Sequence, residues 1–243
     1  MRTQGTFAKR DAAVVLCCAV FVLANLGAVG STGRRRAREA VCLSNLMQWG
    51  RIWKSYADDH DGYFPRRSGM LYWPWKILDY KPDINRKLCF CPEATKAWAE
   101  GGVCPFASWS YVEDGVRIDS SYTVNFWATD DDSTKFWRTP YVADAAKVPL
   151  LLDGSWMDAE PLADDDPPPS MEWIQTNCWE PNRNEMKRVC HYRHESIVNG
   201  VFLDLSARRI GLKELWQLKW HREWPQYNPP PAWPEWMENF KDY

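Results

Sequence analysis

The chain contains 243 residues, of which 45% are hydrophobic and 26% charged, a composition typical of globular proteins and not of disordered or collagen-like chains. Thirty Lys and Arg residues against 32 Asp and Glu residues give a formal net charge of -2. Most nucleic-acid binders depend on a broad electrostatic attraction to phosphate that this chain lacks, so we expect no nucleic-acid partner.

An uncharged apolar segment begins at Ala12 and ends at Val29. As a helix it would be roughly 27 Å long, which is enough to cross the hydrocarbon core of a bilayer. Basic residues flank it on both sides, so we predict that it anchors the chain in a membrane, with residues 1–33 as the membrane segment and residues 34–243 as an exported domain. A cleavable secretory signal is the alternative, and it would export the same domain.

Outside this segment lie six cysteines, Cys42, Cys89, Cys91, Cys104, Cys178 and Cys190. In an exported domain an even number of cysteines favours disulfides, here up to three of them among fifteen pairings. A zinc site using Cys89, Cys91 and Cys104 is the alternative, although the spacing C-x-C differs from that of common zinc knuckles and no fourth ligand stands at a companion spacing.

The residues after the apolar segment have helical periodicity. Cys42, Leu46, Trp49, Trp53 and Tyr56 recur at steps of four, three, four and three, which predicts an amphipathic helix over residues 38–57. No proline separates this helix from the apolar segment, so we predict one long helix over residues 11–57, half in lipid and half packed on the exported domain. Turn residues at 58–62 end it.

Further along the chain, β-branched and aromatic runs predict strands at residues 121–125, 148–153 and 197–204, the last forming a hairpin with residues 207–210. Short helices are predicted over residues 89–100 and 212–220. Loops rich in Trp and Pro fill the region from Tyr63 to Tyr80. Residues 221–243 are predicted to form an extended Pro- and Trp-rich tail that covers apolar surface of the domain.

Several short motifs occur in a recognisable order. They are the apolar N-terminal helix, CLSNLMQWG from Cys42, YADDHDGYFP from Tyr56, CPEA from Cys91, SYTVN from Ser121, LDG from Leu152, and His194 followed after nine residues by Asp204. Together they resemble the pseudopilin-type proteins of planctomycete and related bacteria, the prepilin-type or type II secretion system G-like H-x9-DG proteins. The resemblance spans most of the chain.

The resemblance implies a cytoplasmic N-terminus, a single-pass inner-membrane helix and an exported, periplasmic or extracytoplasmic α+β head. In that head a small antiparallel β-sheet packs on the soluble half of the long helix. Two positions depart from the family pattern. Gly5 would mark the processing site, but Thr6-Phe7 inverts the family's Phe-Thr pair and Arg10 replaces an acidic residue; and Leu205 stands where the family has Gly after Asp204.

Candidate site residues are few. Asp153, His194 and Asp204 lie at strand ends, where they would converge at one sheet edge as ligands of a divalent metal; alternatively, the carboxylates cap turns and His194 forms interior hydrogen bonds. We expect no cofactor, with calcium at the acidic loop 58–62 as the one alternative. No nucleophile elbow, phosphate loop or HExxH motif occurs, so we expect no enzymatic activity.

These observations predict a structural role in a type II secretion or type IV pilus-like envelope system, with protein partners that include copies of the chain itself. The alternative is a membrane-tethered binding domain that does not form filaments and that uses exposed tryptophans, from Trp73, Trp75, Trp98, Trp109, Trp233 and Trp236, to bind a glycan or a protein.

Overall fold

The protein was analysed as a computed structural model, which describes residues 9–66, 72–113, 115–177, 184–226 and 231–242, without the side chains of residues 9–13, 19, 22–29, 31, 72–75 and 113. Gly5, Cys178 and most side chains of the predicted membrane segment therefore lie outside the description. The chain divides into two compact units, residues 1–38 and residues 39–243.

The first helix, α1, extends from Lys9 to Asp59. Within the described residues, no helix has an apolar stretch of the length that a membrane crossing requires. From Glu39 onward α1 belongs to the second unit, where Cys42, Leu46, Trp49 and Trp53 are buried on one face. The predicted periodicity of this part of the helix is thereby confirmed, with the difference that Tyr56 is half-buried and the neighbouring Ala57 completes the buried stripe.

Two other α-helices and eight strands follow among the described residues. The helices are α2 (Tyr72–Tyr80) and α3 (Met171–Asn177). The strands are β1 (Lys96–Ala97), β2 (Ala107–Glu113), β3 (Val116–Ser120), β4 (Tyr122–Asn125), β5 (Pro149–Asp153), β6 (Asp158–Ala159), β7 (Ile197–Phe202) and β8 (Ala207–Gly211). The protein is therefore α+β, as predicted.

The main sheet has five strands in the order β6-β4-β5-β7-β8. The pairs β4–β5, β5–β7 and β7–β8 are antiparallel, whereas β6 runs parallel to β4, so the sheet is mixed and the expectation of a purely antiparallel sheet is wrong. The predicted strands at 121–125, 148–153 and 197–204 correspond to β4, β5 and β7, and the predicted hairpin is β7–β8. All five residues of β5 are buried, which explains its continuous apolar sequence.

A second sheet of three strands, in the order β1-β2-β3, was not predicted. The helix predicted over residues 89–100 is also wrong: Cys89 ends a 3₁₀-helix that begins at Arg86, and the residues after it form turns, the two-residue strand β1 and a short 3₁₀-helix, Trp98–Glu100. The predicted helix over residues 212–220 is a 3₁₀-helix at Leu212–Gln217.

The second unit is held together by contacts between α1 and the regions around the sheet. The indole nitrogen of Trp49 donates a hydrogen bond to the carbonyl of Leu88 at 2.7 Å, and Trp53 packs edge-on against Phe64. The C-terminal tail covers part of the core, since Trp233 packs edge-on against the buried Trp216 with ring centres 5.2 Å apart. The tail thus covers apolar surface, as its sequence predicts.

The cysteines differ from the prediction. Cys42, Cys89, Cys91 and Cys190 are buried free thiols, so the expectation of up to three disulfides is wrong for them. Cys104 alone among the described cysteines of the second unit is in a disulfide. Burial raises the pKa of the Cys89 thiol to about 11, and Cys190 lies in the apolar core, so neither is a ready nucleophile at neutral pH.

Candidate metal centre

Four side chains with metal-binding atoms converge in the interior of the second unit. They are Cys42, Cys91, Asp153 and His194, and one ligand atom from each lies within 4.8 Å of all the others. All four residues are buried, with at most 5% of any of them exposed. The fold therefore brings Cys42 and Asp153, which are 111 positions apart in sequence, into contact.

Each side chain is positioned by a different element. Cys42 is the first residue of the buried stripe of α1, and Asp153 is the last residue of β5. Cys91 follows the 3₁₀-helix Arg86–Cys89, and its backbone nitrogen donates to the hydroxyl of Ser121 at 2.6 Å. His194 lies in the loop before β7, where it forms an isolated β-bridge with Ile197. The cluster thus joins the helix, the main sheet and two loops.

The distances within the cluster are short. Sγ of Cys42 lies 3.4 Å from Oδ1 of Asp153, and Sγ of Cys91 lies 3.3 Å from Nε2 of His194. The same Nε2 atom is 3.2 Å from Oδ2 of Asp153. The backbone nitrogen of Asn199 also donates to Oδ2, at 2.9 Å, which fixes the orientation of the carboxylate.

Arg193 places a fully buried positive charge beside the cluster. Its Nη1 atom lies 3.3 Å from Oδ1 of Asp153, and both side chains have no solvent exposure. The guanidinium also donates to the carbonyls of Pro105 at 2.7 Å, Ser121 at 2.7 Å and Gly154 at 2.9 Å. A buried guanidinium is stable only when its donors are paired in this way, so Arg193 is a structural part of the site.

Burial alone would raise the pKa of Asp153, but the charge of His194, its hydrogen bond and the charge of Arg193 outweigh that effect and hold the pKa well below its usual range. For His194, burial acts to lower the pKa, but the Asp153 carboxylate and the hydrogen bonds to Asp153 and Cys91 raise it to about 10. Asp153 is therefore ionised across the neutral range, and the site is strongly polar although it excludes solvent.

The two thiols respond differently to the same surroundings. Burial raises the pKa of Cys42 well above its ordinary value, and the neighbouring Cys91 and Asp153 raise it further. Burial would raise the pKa of Cys91 too, but the hydrogen bonds from Cys42 and His194 and the charge of Arg193 outweigh it and lower that pKa. Two sulfurs, one imidazole and one carboxylate are the ligand types of zinc and other borderline or soft divalent metals.

Asp153 and His194, two of the three residues predicted from sequence as metal ligands, come together in this cluster, but Asp204 does not. Asp204 is exposed in the turn between β7 and β8, where it accepts hydrogen bonds from the backbone nitrogen and hydroxyl of Ser206 at 2.9 and 2.6 Å. The expectation that all three residues meet at one sheet edge is therefore wrong, because Asp204 caps a turn seven residues beyond the start of β7.

Sequence reasoning missed Cys42 and Cys91 as members of the cluster. The signal was present for Cys42, because the helical periodicity places it on the buried face of α1. No spacing rule links it to Cys91, 49 positions further along the chain.

The carboxylates of the acidic loop 58–62, considered above for calcium, form hydrogen bonds within the protein. Asp58 accepts hydrogen bonds from Lys54 and Tyr141, and Asp59 accepts one from Tyr80.

Three of the four predicted surface tryptophans whose side chains are described are packed. Trp109 is 4% exposed and Trp233 and Trp236 are half-buried, whereas Trp98 is 46% exposed. The side chains of Trp73 and Trp75 lie outside the description. A cavity of about 280 Å³ beside β2 is lined by Trp98, Trp109 and Trp156 among others.

No protein-family model matches the chain, and no curated protein or solved structure matches it either. The resemblance to pseudopilin-type proteins stays a prediction from the sequence motifs.

Proposed function

We propose that this protein is a single-pass inner-membrane protein of pseudopilin type, whose exported head has a structural role in a type II secretion or type IV pilus-like assembly. Residues 12–29 anchor the chain, the N-terminus is cytoplasmic and the head lies outside the cytoplasm. The role is assembly through protein–protein contacts and not catalysis.

The observation that carries the proposal is the apolar surface of α1 near its N-terminus. Val14, Val15, Leu16, Val20 and Phe21 are each between 58% and 71% exposed. Large apolar side chains clustered in this way are covered in the working state of a protein, because leaving each one exposed to water costs roughly 1.5 to 3 kcal/mol relative to burying it. A bilayer covers all sides of such a helix, and the basic residues on both sides of the segment match its headgroup regions.

The architecture of the head provides a second argument. The part of α1 that follows Glu39 packs on a five-stranded sheet, and the family that the motifs resemble is expected to combine a membrane helix with such a head. A helix with one apolar stretch and one amphipathic stretch is suited to link a membrane segment to a folded domain.

The anchor is tested by expressing the full chain in a bacterium and extracting the membranes with alkaline carbonate. We expect the protein to stay in the membrane pellet and its head to be digested by protease added outside intact spheroplasts. The matched variant Leu16→Arg/Val20→Arg places two charges in the segment, each costing about 2.5 to 3.5 kcal/mol at the bilayer centre, and should move to the soluble fraction. A wild-type chain that is fully released by carbonate contradicts the proposal.

Assembly is distinguished from simple tethering by the native cysteines of the segment. Cys17 and Cys18 are exposed, whereas the other free thiols of the described chain are buried. Mild oxidation of membranes should therefore link the helices of neighbouring copies into dimers and higher species that a Cys17→Ser/Cys18→Ser variant does not form. Monomers alone, in a protein that remains membrane-bound, would favour the tethered binding domain.

The tethered binding domain has one specific observation in its favour, the cavity of about 280 Å³ that includes the exposed Trp98. An indole beside an open cavity is a suitable platform for the apolar face of a sugar ring. Calorimetric titration of the detergent-solubilised protein with cellohexaose and chitohexaose tests it. Binding that is lost in Trp98→Ala supports this role, and the absence of heat with both sugars removes these two glycans as ligands.

A further inference from the structure

We propose that Cys42, Cys91, Asp153 and His194 together bind one zinc ion, as a closed structural site inside the head. The site is independent of the proposed membrane role, because all four ligands belong to residues 39–243.

The geometry matches what a tetrahedral zinc ion requires. With zinc–sulfur bonds of about 2.3 Å and bonds to nitrogen and oxygen of about 2.0 to 2.1 Å, neighbouring ligand atoms are roughly 3.3 to 3.8 Å apart. With Oδ2 as the ligand atom of Asp153, the observed separations are 3.5 Å to Sγ of Cys42 and 3.2 Å to Nε2 of His194, and Sγ of Cys91 lies 3.3 Å from the same Nε2. All four ligand atoms lie within 4.8 Å of one another, so the remaining pairs need to close by roughly 1 Å at most to enclose an ion.

Charge gives an independent argument. When both thiols are ionised, Cys42, Cys91 and Asp153 together carry three negative charges in a volume closed to water. A zinc ion supplies two positive charges, and the buried guanidinium of Arg193, 3.3 Å from Asp153, supplies the third. The loaded site is thus neutral, and a buried site of that kind avoids the large cost of an uncompensated charge.

The ligand types select the metal. Two sulfur ligands disfavour calcium and magnesium, which prefer oxygen. Four protein ligands leave no open position for a water molecule or a substrate, as in structural rather than catalytic zinc sites. His194 directs Nε2 at both Cys91 and Asp153, whereas its Nδ1 has no hydrogen-bond partner among the described residues, so Nε2 is the atom that binds the ion.

The site would connect parts of the fold that are distant in sequence. Its ligands come from α1, a loop near position 91, the end of β5 and the loop before β7. Because such a site does not exist in the unfolded chain, zinc binding contributes directly to folding stability. We therefore expect the ion to be acquired as the head folds and to exchange slowly afterwards.

The test uses the full chain, purified in detergent with a thiol reductant and without chelator. Elemental analysis should give about one zinc per chain. Refolding with Co²⁺ in place of zinc should produce the visible bands of tetrahedral cobalt together with thiolate-to-cobalt charge-transfer absorption. This spectrum requires no variant, so the proposal stays testable if a ligand substitution prevents folding.

Cys91→Ser and Cys89→Ser form a matched pair, since both thiols are buried and lie two residues apart, but only Cys91 belongs to the cluster. We expect Cys91→Ser to lose the bound zinc and the cobalt charge-transfer band, and Cys89→Ser to keep both. His194→Ala should lose the zinc while retaining both thiols.

Two outcomes overturn the proposal. One is a folded protein without zinc or cobalt absorption whose Cys42 and Cys91 react as free thiols after unfolding. The other is a Cys42–Cys91 disulfide, detected by peptide mass mapping of protein prepared without reductant, that persists when the protein is refolded in the presence of zinc and reductant.

Discussion

Gly50 of α1 lies directly against Val201 of β7: a β-carbon at position 50 would be 2.7 Å from Cγ2 of Val201, closer than two carbon atoms can approach. The glycine therefore lies where the helix packs too close to the sheet for a side chain. Gly33 lies on the same helix, but in the described part of the chain no neighbouring atom lies within 4 Å of the position that its β-carbon would occupy.

The two glycines should respond oppositely to alanine. Gly50→Ala forces the helix or Val201 to move, so we expect it to lower the free energy of unfolding by about 1 to 3 kcal/mol. Gly33→Ala meets no neighbour and raises helix propensity, so we expect no loss. Thermal unfolding of the two variants, followed by circular dichroism, checks this prediction. Equal melting temperatures would show that the helix does not approach β7 this closely.

The turn between β7 and β8 contains a strained residue. Leu205 has a φ of 68°, in the left-handed region that glycine adopts without cost. It stands at the position where the family that the sequence motifs resemble has glycine. We expect Leu205→Gly to be tolerated, with a change in unfolding free energy within about 1 kcal/mol, because relief of strain offsets the lost half-buried contact.

Leu203, two residues earlier, is the control for this turn. It is 3% exposed and packs in the core, so Leu203→Gly should cost at least about 2 kcal/mol. Urea denaturation of both variants measures the difference. A loss at position 205 as large as that at position 203 would mean that packing, and not backbone conformation, determines the residue there.

Asp165 should make the head less stable as the pH rises. Burial raises its pKa to about 6, although backbone N–H groups of Met186 and Leu162 donate to its carboxylate. The ordinary value is about 3.9, so the folded state binds the proton more tightly than the unfolded chain. This contribution is fully present below pH 4 and is lost as the pH rises through 6.

Asp165→Asn removes this dependence, because the amide oxygen accepts the same two hydrogen bonds without a charge. We expect the variant to match the wild type near pH 4 and to exceed it at pH 8 by on the order of 2 kcal/mol. Asp166→Asn, at an exposed neighbouring position, should show no such difference. Urea denaturation at both pH values tests the prediction, and a constant offset between variant and wild type would refute it.

Local patterns in the sequence were sufficient for the parts of the fold where burial has a clear period. The stripe from Cys42 to Trp53 and the apolar run of β5 are examples, because each pattern directly reflects which side chains are buried. The hairpin of β2 and β3 was missed, since Ser, Asp and Arg residues interrupt its apolar residues. Its pairing depends on contacts such as that of Ser110 with Asp119, which no local pattern indicates.

Only half of the candidate metal centre could be predicted, because local sequence patterns do not show which distant residues meet in the fold. Asp153 and His194 were found because they flank strands, whereas the thiols of Cys42 and Cys91 join them only through tertiary folding. The six cysteines whose even number suggested disulfides include this pair of buried thiols. Sequence counting cannot separate a disulfide from a thiol pair that shares its surroundings with a carboxylate and an imidazole.

Among the arginines of the head, Arg193 should be the one whose substitution lowers the free energy of unfolding most. Its guanidinium is fully buried and is paired with Asp153 and with four backbone carbonyls, so Arg193→Met removes the positive partner of a buried carboxylate and the donor to these carbonyls. We expect a loss of about 3 to 5 kcal/mol. Arg117→Met is the control: Arg117 pairs with Glu100 and Asp119 at the surface, where such pairs contribute about 1 kcal/mol or less.

Arg193→Lys separates charge from geometry at the same position. Lysine restores the positive charge but has no planar fork to reach the carbonyls of Pro105, Ser121 and Gly154 together, so we expect it to recover only part of the loss. Urea denaturation of the three variants, with the zinc content measured alongside, gives the comparison. If lysine restored full stability, the charge beside Asp153 would be sufficient, and the carbonyl contacts would contribute little to the free energy of unfolding.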